Sequence, residues 1–145
     1  MQFRVVDDQI SANFRLRQFA NSLDRNSIML TADFIEFVQV LQMFRTWYNR
    51  PINISSGFRT PEFNRSVGGS SNSAHLRGVA VDFPLPPEWW GFSRDRRNQF
   101  IANVRKKWHK LCRKVGRRGS VVFYDTFIHL DFWHVERFED NRTSR

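Results

Sequence analysis

The sequence predicts an α+β protein, a single domain in which a small, largely antiparallel sheet packs against helices on one of its faces. Apolar residues recur at helical spacing in two segments, 34–48 and 100–111. Shorter apolar segments are bounded by Gly, Pro or Asp-Thr and are typical of strands. The predicted order is helix, strand, loop, strand, helix, strand, strand, and the length of 145 residues fits one domain, 1–145.

The first third of the chain is predicted to contain one long helix. Residues 1–30 have mixed apolar spacings, so we expect an irregular N-terminal arm. Thr31 has the side chain of an N-cap, and the apolar face over 34–48 predicts about four turns of helix, which Pro51 ends. Apolar and polar residues then alternate over 52–55, which predicts a short strand.

A loop and a buried strand are predicted to follow. Residues 56–74 are rich in Gly, Ser and Asn, with a short helix expected to open near Thr60 and Pro61. The apolar segment 79–83 predicts a buried strand. Ser93 or Asp95 is expected to cap the second long helix. Two strands and a frayed polar tail are predicted at residues 120–124, 127–133 and 140–145.

Composition restricts the classes of function. Lys and Arg number 23 against 14 Asp and Glu, and the net charge of +9 favours polyanionic partners such as nucleic acid, membrane surfaces or cell walls. The single cysteine, Cys112, excludes an intramolecular disulfide and a multi-cysteine zinc site. No apolar run is long enough to predict a transmembrane helix, and two acids near the N-terminus argue against a signal peptide.

Two segments combine imidazole and carboxylate side chains. His75 precedes the predicted strand 79–83, and Asp82 lies inside it, where a buried carboxylate needs a cationic partner. His129 and Asp131 alternate with apolar residues and therefore share one face of the last predicted strand. From the residues alone, a metal site and ordinary structural roles both remain open.

Three segments in the same order resemble the zinc D-Ala-D-Ala carboxypeptidase and L-alanyl-D-glutamate endopeptidase family of cell-wall metallopeptidases, peptidase M15. SAHLRGVAVD matches the S-x-H-x-x-G-x-A-x-D signature, FIHLD resembles the later H-x-D segment, and SGFRTPEFN resembles the upstream S-G-[FY]-R-[ST]-P-x-x-N segment. An F-x-L-x-x-F pattern near the N-terminus is similar to small, often bacteriophage-encoded members. The resemblance covers about residues 11–135.

The resemblance implies a role for six residues. His75, Asp82 and His129 would hold zinc, and Asp131 would accept the proton of the attacking water. Arg59 would donate hydrogen bonds to a substrate carboxylate or to the developing oxyanion. The sixth residue, Ser73, would bind near the ligands or the substrate.

Two departures from the family pattern leave alternatives open. Several relatives place the catalytic acid three residues before the third ligand, a spacing that Asp131 and His134 offer here. We prefer His129 as the ligand, because an odd separation sends Asp131 and His134 to opposite faces of a strand. Trp89 and Trp90 lie in an insertion and either line a substrate groove or cover the core.

The resemblance implies a zinc-dependent peptidase that cuts amide bonds next to D-amino acids in peptidoglycan stem peptides, as a carboxypeptidase or an endopeptidase. We expect a monomer without specific nucleic-acid binding, of the phage lysis or virion-associated kind, held in the cytoplasm until release and acting at the bacterial wall. One alternative is an inactive, zinc-containing module that binds cell wall or protein. Another is a nucleic-acid-binding domain, which only the charge favours.

Overall fold

The computed structural model describes residues 8–21 and 27–143. Its helices are α1, Ala32–Tyr48; α2, Pro61–Ser66; and α3, Arg94–Lys114. Its strands are β1, Ala80–Pro84; β2, Arg118–Phe123; β3, Phe127–Trp133; and β4, Arg137–Asp140. Short 3₁₀ turns lie at Leu16–Phe19, Ala74–Arg77 and Pro87–Gly91. No helix within these described ranges has the length and apolarity to cross a membrane.

The four strands form one sheet in the order β1-β3-β2-β4. β3 pairs antiparallel with both β1 and β2, whereas β4 pairs parallel with β2. The predicted α+β class is therefore confirmed, with a sheet that is partly parallel. β4 was not predicted, because its sequence RFED is short and mostly charged and lacks an apolar alternation.

The helices begin where hydroxyl side chains can accept hydrogen bonds from their first turns. Thr31 Oγ1 accepts from the amide of the third helical residue of α1 at 3.1 Å, and Thr60 does the same for α2 at 3.2 Å. Ser93, and not Asp95, is the N-cap of α3. Asn49 ends α1 in the left-handed conformation, two residues before Pro51.

One face of the sheet packs against α1 and α3 through aromatic side chains. Trp108 of α3 stacks on Phe132 of β3 with ring centroids 6.4 Å apart, and Phe37 of α1 meets both rings edge to face. Trp89 is 1% exposed and belongs to this core, whereas Trp90 is 58% exposed. Cys112 is fully buried, as expected of a small apolar residue.

Two boundaries differ from the sequence expectations. Residues 52–55 do not form a strand, and the chain there meets β1 only through an isolated bridge at Ser56. The amides of Ser55 and Ser56 donate to the Asp82 carbonyl, and the Asp82 amide donates to the Ser56 carbonyl, so all three backbone hydrogen bonds involve a single β1 residue and no ladder develops. The predicted frayed tail, 140–145, is held as far as residue 143, because the Asn141 amide donates to the Phe123 carbonyl at 2.8 Å and Thr143 donates to the carboxylate of Asp125. Residues 144–145 lie outside the described residues, as do 1–7 and 22–26 of the N-terminal arm.

Candidate metal centre

The candidate site lies on the face of the sheet opposite α1 and α3. Asp82 of β1 pairs in register with His129 of β3, and Ala80 pairs with Asp131. Cross-strand partners point to the same face of a sheet, so Asp82, His129 and Asp131 project together. Their neighbours Val81 and Leu130 point into the helix-covered core and are fully buried. As the alternation in the sequence predicts, His129 and Asp131 therefore lie on the same face of β3.

His75 reaches this face from the 3₁₀ turn just before β1. The hydroxyl of Ser73 accepts a hydrogen bond from the His75 amide at 3.2 Å and caps the turn. Gly78 ends the turn with φ of 72°, a left-handed conformation that suits glycine. A Cβ at Gly78 would lie 2.7 Å from Cβ of Met29, so both conformation and space require glycine here.

Three candidate ligand atoms converge. Nε2 of His75 lies 3.3 Å from Oδ1 of Asp82, and Nδ1 of His129 lies 2.8 Å from the same oxygen. The potential ligand atoms of these three residues all lie within 4.8 Å of one another. Nδ1 of His75 donates to the carbonyl of Gly57 at 2.7 Å, which leaves the lone pair of Nε2 directed at the cluster. This set of two imidazoles and one carboxylate fits a divalent metal ion.

Gly57 supports His75 from a crowded position. A Cβ there would lie 2.6 Å from the carbonyl oxygen of Phe19 and 2.8 Å from its Cα. We expect Gly57→Ala to lower the free energy of unfolding by about 1–3 kcal/mol, because the backbone must shift to admit the methyl group. Gly91→Ala is the matched control, since nothing lies within 4 Å of its Cβ position.

Urea unfolding followed by tryptophan fluorescence measures both variants. If the Gly57→Ala protein is as stable as the Gly91→Ala protein, the backbone at Phe19 shifts at little cost in free energy and the prediction is wrong.

The carboxylates of Asp82 and Asp131 stabilise positive charge on the imidazole between them. Burial raises the pKa of the Asp82 carboxyl, but hydrogen bonds and charge from His129 and His75 outweigh it and hold the pKa well below its usual value. Burial lowers the pKa of His129, but its hydrogen bonds to Asp131 and Asp82 raise the pKa to about 9. Asp82 is 6% exposed, so the negative charge that it keeps is compensated by the cations beside it.

Asp131 is committed to protein donors. It is 1% exposed, its Oδ1 accepts the amide of Ser120 at 2.8 Å, and its Oδ2 accepts Nε2 of His129 at 2.8 Å. Burial raises the pKa of Asp131, but the hydrogen bond and charge of His129 and the hydrogen bonds of Ser120 keep the pKa below its usual value. Asp131 therefore contacts the edge of the His129 ring that faces away from Asp82.

Arg59 reaches the cluster through Asp82. Its Nη2 lies 3.3 Å from Oδ2 of Asp82, its Nε donates to Ser56 at 3.2 Å, and its Nη1 donates to Asn64 at 3.3 Å. All three guanidinium nitrogens thus have protein acceptors, and the side chain is 15% exposed. Asn64 in turn donates to the carbonyl of Ser70 at 2.8 Å, which fastens the loop after α2.

A cleft of about 460 Å³ opens above the cluster. Ser73 and Arg59 line one side of it, next to the loop that follows α2. The structure does not bring His134 to the cleft: it is exposed beyond the end of β3 and outside the cluster of ligand atoms. Trp89 and Trp90 do not line the cleft either.

Sequence reasoning missed the other wall of the cleft, which Tyr124, Trp133, Arg137 and Glu139 form. Arg137 and Glu139 belong to β4, the strand that was not predicted. Their alternation across Phe138 is the one signal that could have placed them on a common face.

Comparison with protein families shows that residues 11–131 match the family described as Peptidase M15. The matched segment includes all six residues singled out from the sequence. The match ends at Asp131, so β4 lies beyond it. No curated protein matches the chain.

Proposed function

The chain belongs to the peptidase M15 family of metallopeptidases, and from this we infer that it is a zinc-dependent hydrolase of amide bonds next to D-amino acids in peptidoglycan stem peptides. One observation carries the proposal: Nε2 of His75, Oδ1 of Asp82 and Nδ1 of His129 converge at the floor of an open cleft. Two imidazoles and one carboxylate are ligand types found in catalytic zinc sites.

His75, Asp82 and His129 would hold the zinc ion. Zinc at such a site polarises the scissile carbonyl and lowers the pKa of water, so that a nucleophile forms near neutral pH. The protein presents the three ligands from a capped turn and two paired strands, elements that fix the ligands before the metal binds. We propose zinc over harder cations because imidazole nitrogen dominates the donor set.

The contacts of Asp131 support a positioning role. Its Oδ2 accepts from Nε2 of His129, so it fixes the orientation of the ring and makes Nδ1 the ligating nitrogen. The family resemblance instead implies that Asp131 accepts the proton of the attacking water. That role requires Oδ2 to leave His129, because its other oxygen is held by the Ser120 amide.

Arg59 and Ser73 would act beside the metal. The Arg59 guanidinium holds Asp82 in place through Oδ2, which leaves Oδ1 directed at the two histidines. A substrate carboxylate or oxyanion would have to share the Nη groups of Arg59 with Asp82 and Asn64. The hydroxyl of Ser73 is at the cleft margin, where it caps the turn that carries His75.

The experiment that tests the proposal is digestion of purified peptidoglycan. With zinc bound, the protein should release peptide fragments whose new ends, identified by mass spectrometry, flank a D-amino acid. New ends at terminal D-alanine would indicate a carboxypeptidase, and internal ends would indicate an endopeptidase. If zinc binds but no bond is cut, the protein is a wall- or protein-binding module of the same fold. A phage lysis or virion-associated role at the bacterial wall, by a monomer, is part of the same proposal.

Metal removal should also lower the thermal stability. A ligand bound only to the folded state stabilises it by about 2.7 kcal/mol at one hundred times its dissociation constant. We therefore expect zinc to raise the Tm of the chelator-treated protein by several degrees, measured by calorimetry. Magnesium at the same concentration is the control, since it binds oxygen ligands in preference to imidazole. A Tm unchanged by zinc would contradict the assigned metal site.

A further inference from the structure

We propose that the β4 wall of the cleft is a substrate subsite for a group that carries an ammonium and a carboxylate on the same carbon atom. The proposal rests on the proposed function, because it names the part of the substrate that is held beside the zinc site. It uses Arg137 and Glu139, which lie beyond the segment that matches the peptidase family.

The register of the sheet places both residues on the cleft face. Glu139 pairs with Val122, which pairs with His129. Arg137 pairs with Ser120, which pairs with Asp131. Since paired residues project to the same face, Arg137 and Glu139 stand on the same face as the candidate ligands.

The residue between them confirms this orientation. Phe138 lies under the guanidinium of Arg105 of α3, with 4.4 Å from the guanidinium carbon to the ring centroid, and it therefore points to the helix side of the sheet. Arg137 and Glu139 flank it in the strand and point the other way, into the cleft that they line.

The distance from β4 to the proposed metal position is about the length of one substrate residue with its side chain. β4 is two strands away from β3, so its backbone lies about 10 Å from that of His129. Side chains that extend from β4 towards the cluster shorten this separation. The subsite is therefore too far from the metal to hold the scissile bond itself and near enough to hold a side chain of the same peptide.

Arg137 is held in a fixed orientation. Its Nε donates to the hydroxyl of Ser120 at 3.1 Å, and its guanidinium carbon lies 5.3 Å from the ring centroid of Trp133. Nη2 lies 3.7 Å from Oδ2 of Asp131, an ion-pair separation that is long for a hydrogen bond. The side chain is 35% exposed, so the outer edge of the guanidinium can bind an incoming carboxylate.

Glu139 supplies the opposite charge. Its Oε2 accepts a hydrogen bond from Nδ2 of Asn141 at 3.2 Å, which orients the carboxylate. Among residues 8–21 and 27–143, no Lys, Arg or His nitrogen lies within 4.0 Å of its oxygens. An anionic and a cationic side chain two residues apart on one strand face are complementary to a zwitterion.

The chemistry of peptides restricts which group fits. An ordinary peptide carries its ammonium and its carboxylate at opposite ends, so one residue does not present both together. A residue whose side chain ends in an amino acid group, as in a diamino dicarboxylic acid, presents both on one carbon. We therefore assign to this subsite the end of a diamino dicarboxylic side chain, with its ammonium on Glu139 and its carboxylate on Arg137.

The test compares matched synthetic peptides with the zinc-loaded protein. One peptide contains 2,6-diaminopimelate with both side-chain groups free, a second has the side-chain amine acetylated, and a third contains lysine. Isothermal titration measures the dissociation constant of each peptide, and cleavage assays measure KM and kcat. We expect the first peptide to bind at least about tenfold more tightly than the other two, because the loss of one charge-assisted hydrogen bond raises a dissociation constant by about that factor.

Glu139→Gln keeps the shape of the side chain and removes its charge. We expect it to weaken binding of the free diaminopimelate peptide by about tenfold, to leave the acetylated peptide unaffected and to change kcat little. Glu136→Gln is the matched control, since Glu136 precedes β4 but pairs with Arg113 and does not line the cleft.

Equal dissociation constants for the three peptides, or an equal effect of Glu139→Gln on all of them, would overturn the subsite. Selective binding without cleavage of any peptide would support the subsite and contradict the proposed hydrolase function. Cleavage of all three peptides at equal KM would support the hydrolase and contradict the subsite.

Discussion

Replacing His75 by alanine is expected to abolish both zinc binding and peptidase activity. The substitution removes Nε2, one of three atoms that converge on the proposed zinc position, and two ligands do not hold zinc at a catalytic site. Loss of a residue that merely orients a ligand weakens metal binding by about 10- to 100-fold, so loss of a ligand should cost more. Elemental analysis of the reconstituted protein measures zinc, and peptidoglycan digestion measures activity.

His134→Ala is the matched control for His75→Ala. His134 is exposed and outside the cluster, so its removal should leave zinc stoichiometry unchanged and affect activity modestly. The Tm of each chelator-treated variant shows whether it folds without metal. Zinc lost from His134→Ala and kept by His129→Ala would show that the third ligand is His134 and that our assignment is wrong.

Asp131→Asn is expected to have the second largest effect and to act on metal affinity. Asp131 accepts two hydrogen bonds, one from the Ser120 amide and one from Nε2 of His129. An asparagine has one carbonyl oxygen, so one of these two donors would face an amide nitrogen instead. We expect zinc to bind about 10- to 100-fold more weakly, measured by competition with a chromophoric chelator.

The alternative role of Asp131 makes a different prediction. If Asp131 accepts the proton of water, Asp131→Asn should keep its zinc affinity and lose about two to four orders of magnitude in kcat. Asp125→Asn is the matched control, because Asp125 binds Thr143 and does not line the cleft. Unchanged zinc affinity together with a wild-type kcat would contradict both roles and place the proton acceptor elsewhere.

The helices and central strands could be predicted because local signals determine them. Hydroxyl N-caps and apolar stripes specify α1 and α3, and alternation specifies β3. Residues 52–55 carry the same alternation as a strand, yet they do not form one, because the backbone hydrogen bonds that Ser55 and Ser56 make with β1 all involve Asp82. Alternation indicates a pleated segment but not whether a partner strand is available.

The candidate ligands could be predicted, and the partners that restrict them could not. His75, Asp82 and His129 lie in recognisable segments, and parity along β3 separated His129 from His134. The Ser120 amide occupies one oxygen of Asp131, while His129 occupies the other. Arg59 is held by Ser56 and Asn64 in addition to Asp82. These contacts arise from strand register and loop placement, which no short motif encodes.

The strand order has a consequence for the sequence of folding events. β2 and β3 are joined by the short turn at 124–126 and can pair early, whereas about 40 residues separate β1 from β3 along the chain. Asp82 and His129 meet only when β1 and β3 pair, so the metal cluster should form after the folding transition state. Interactions absent from the transition state slow unfolding and leave the folding rate nearly unchanged. Bound zinc should therefore mainly lower the unfolding rate of this protein, which prolongs the lifetime of the native state more than it speeds folding.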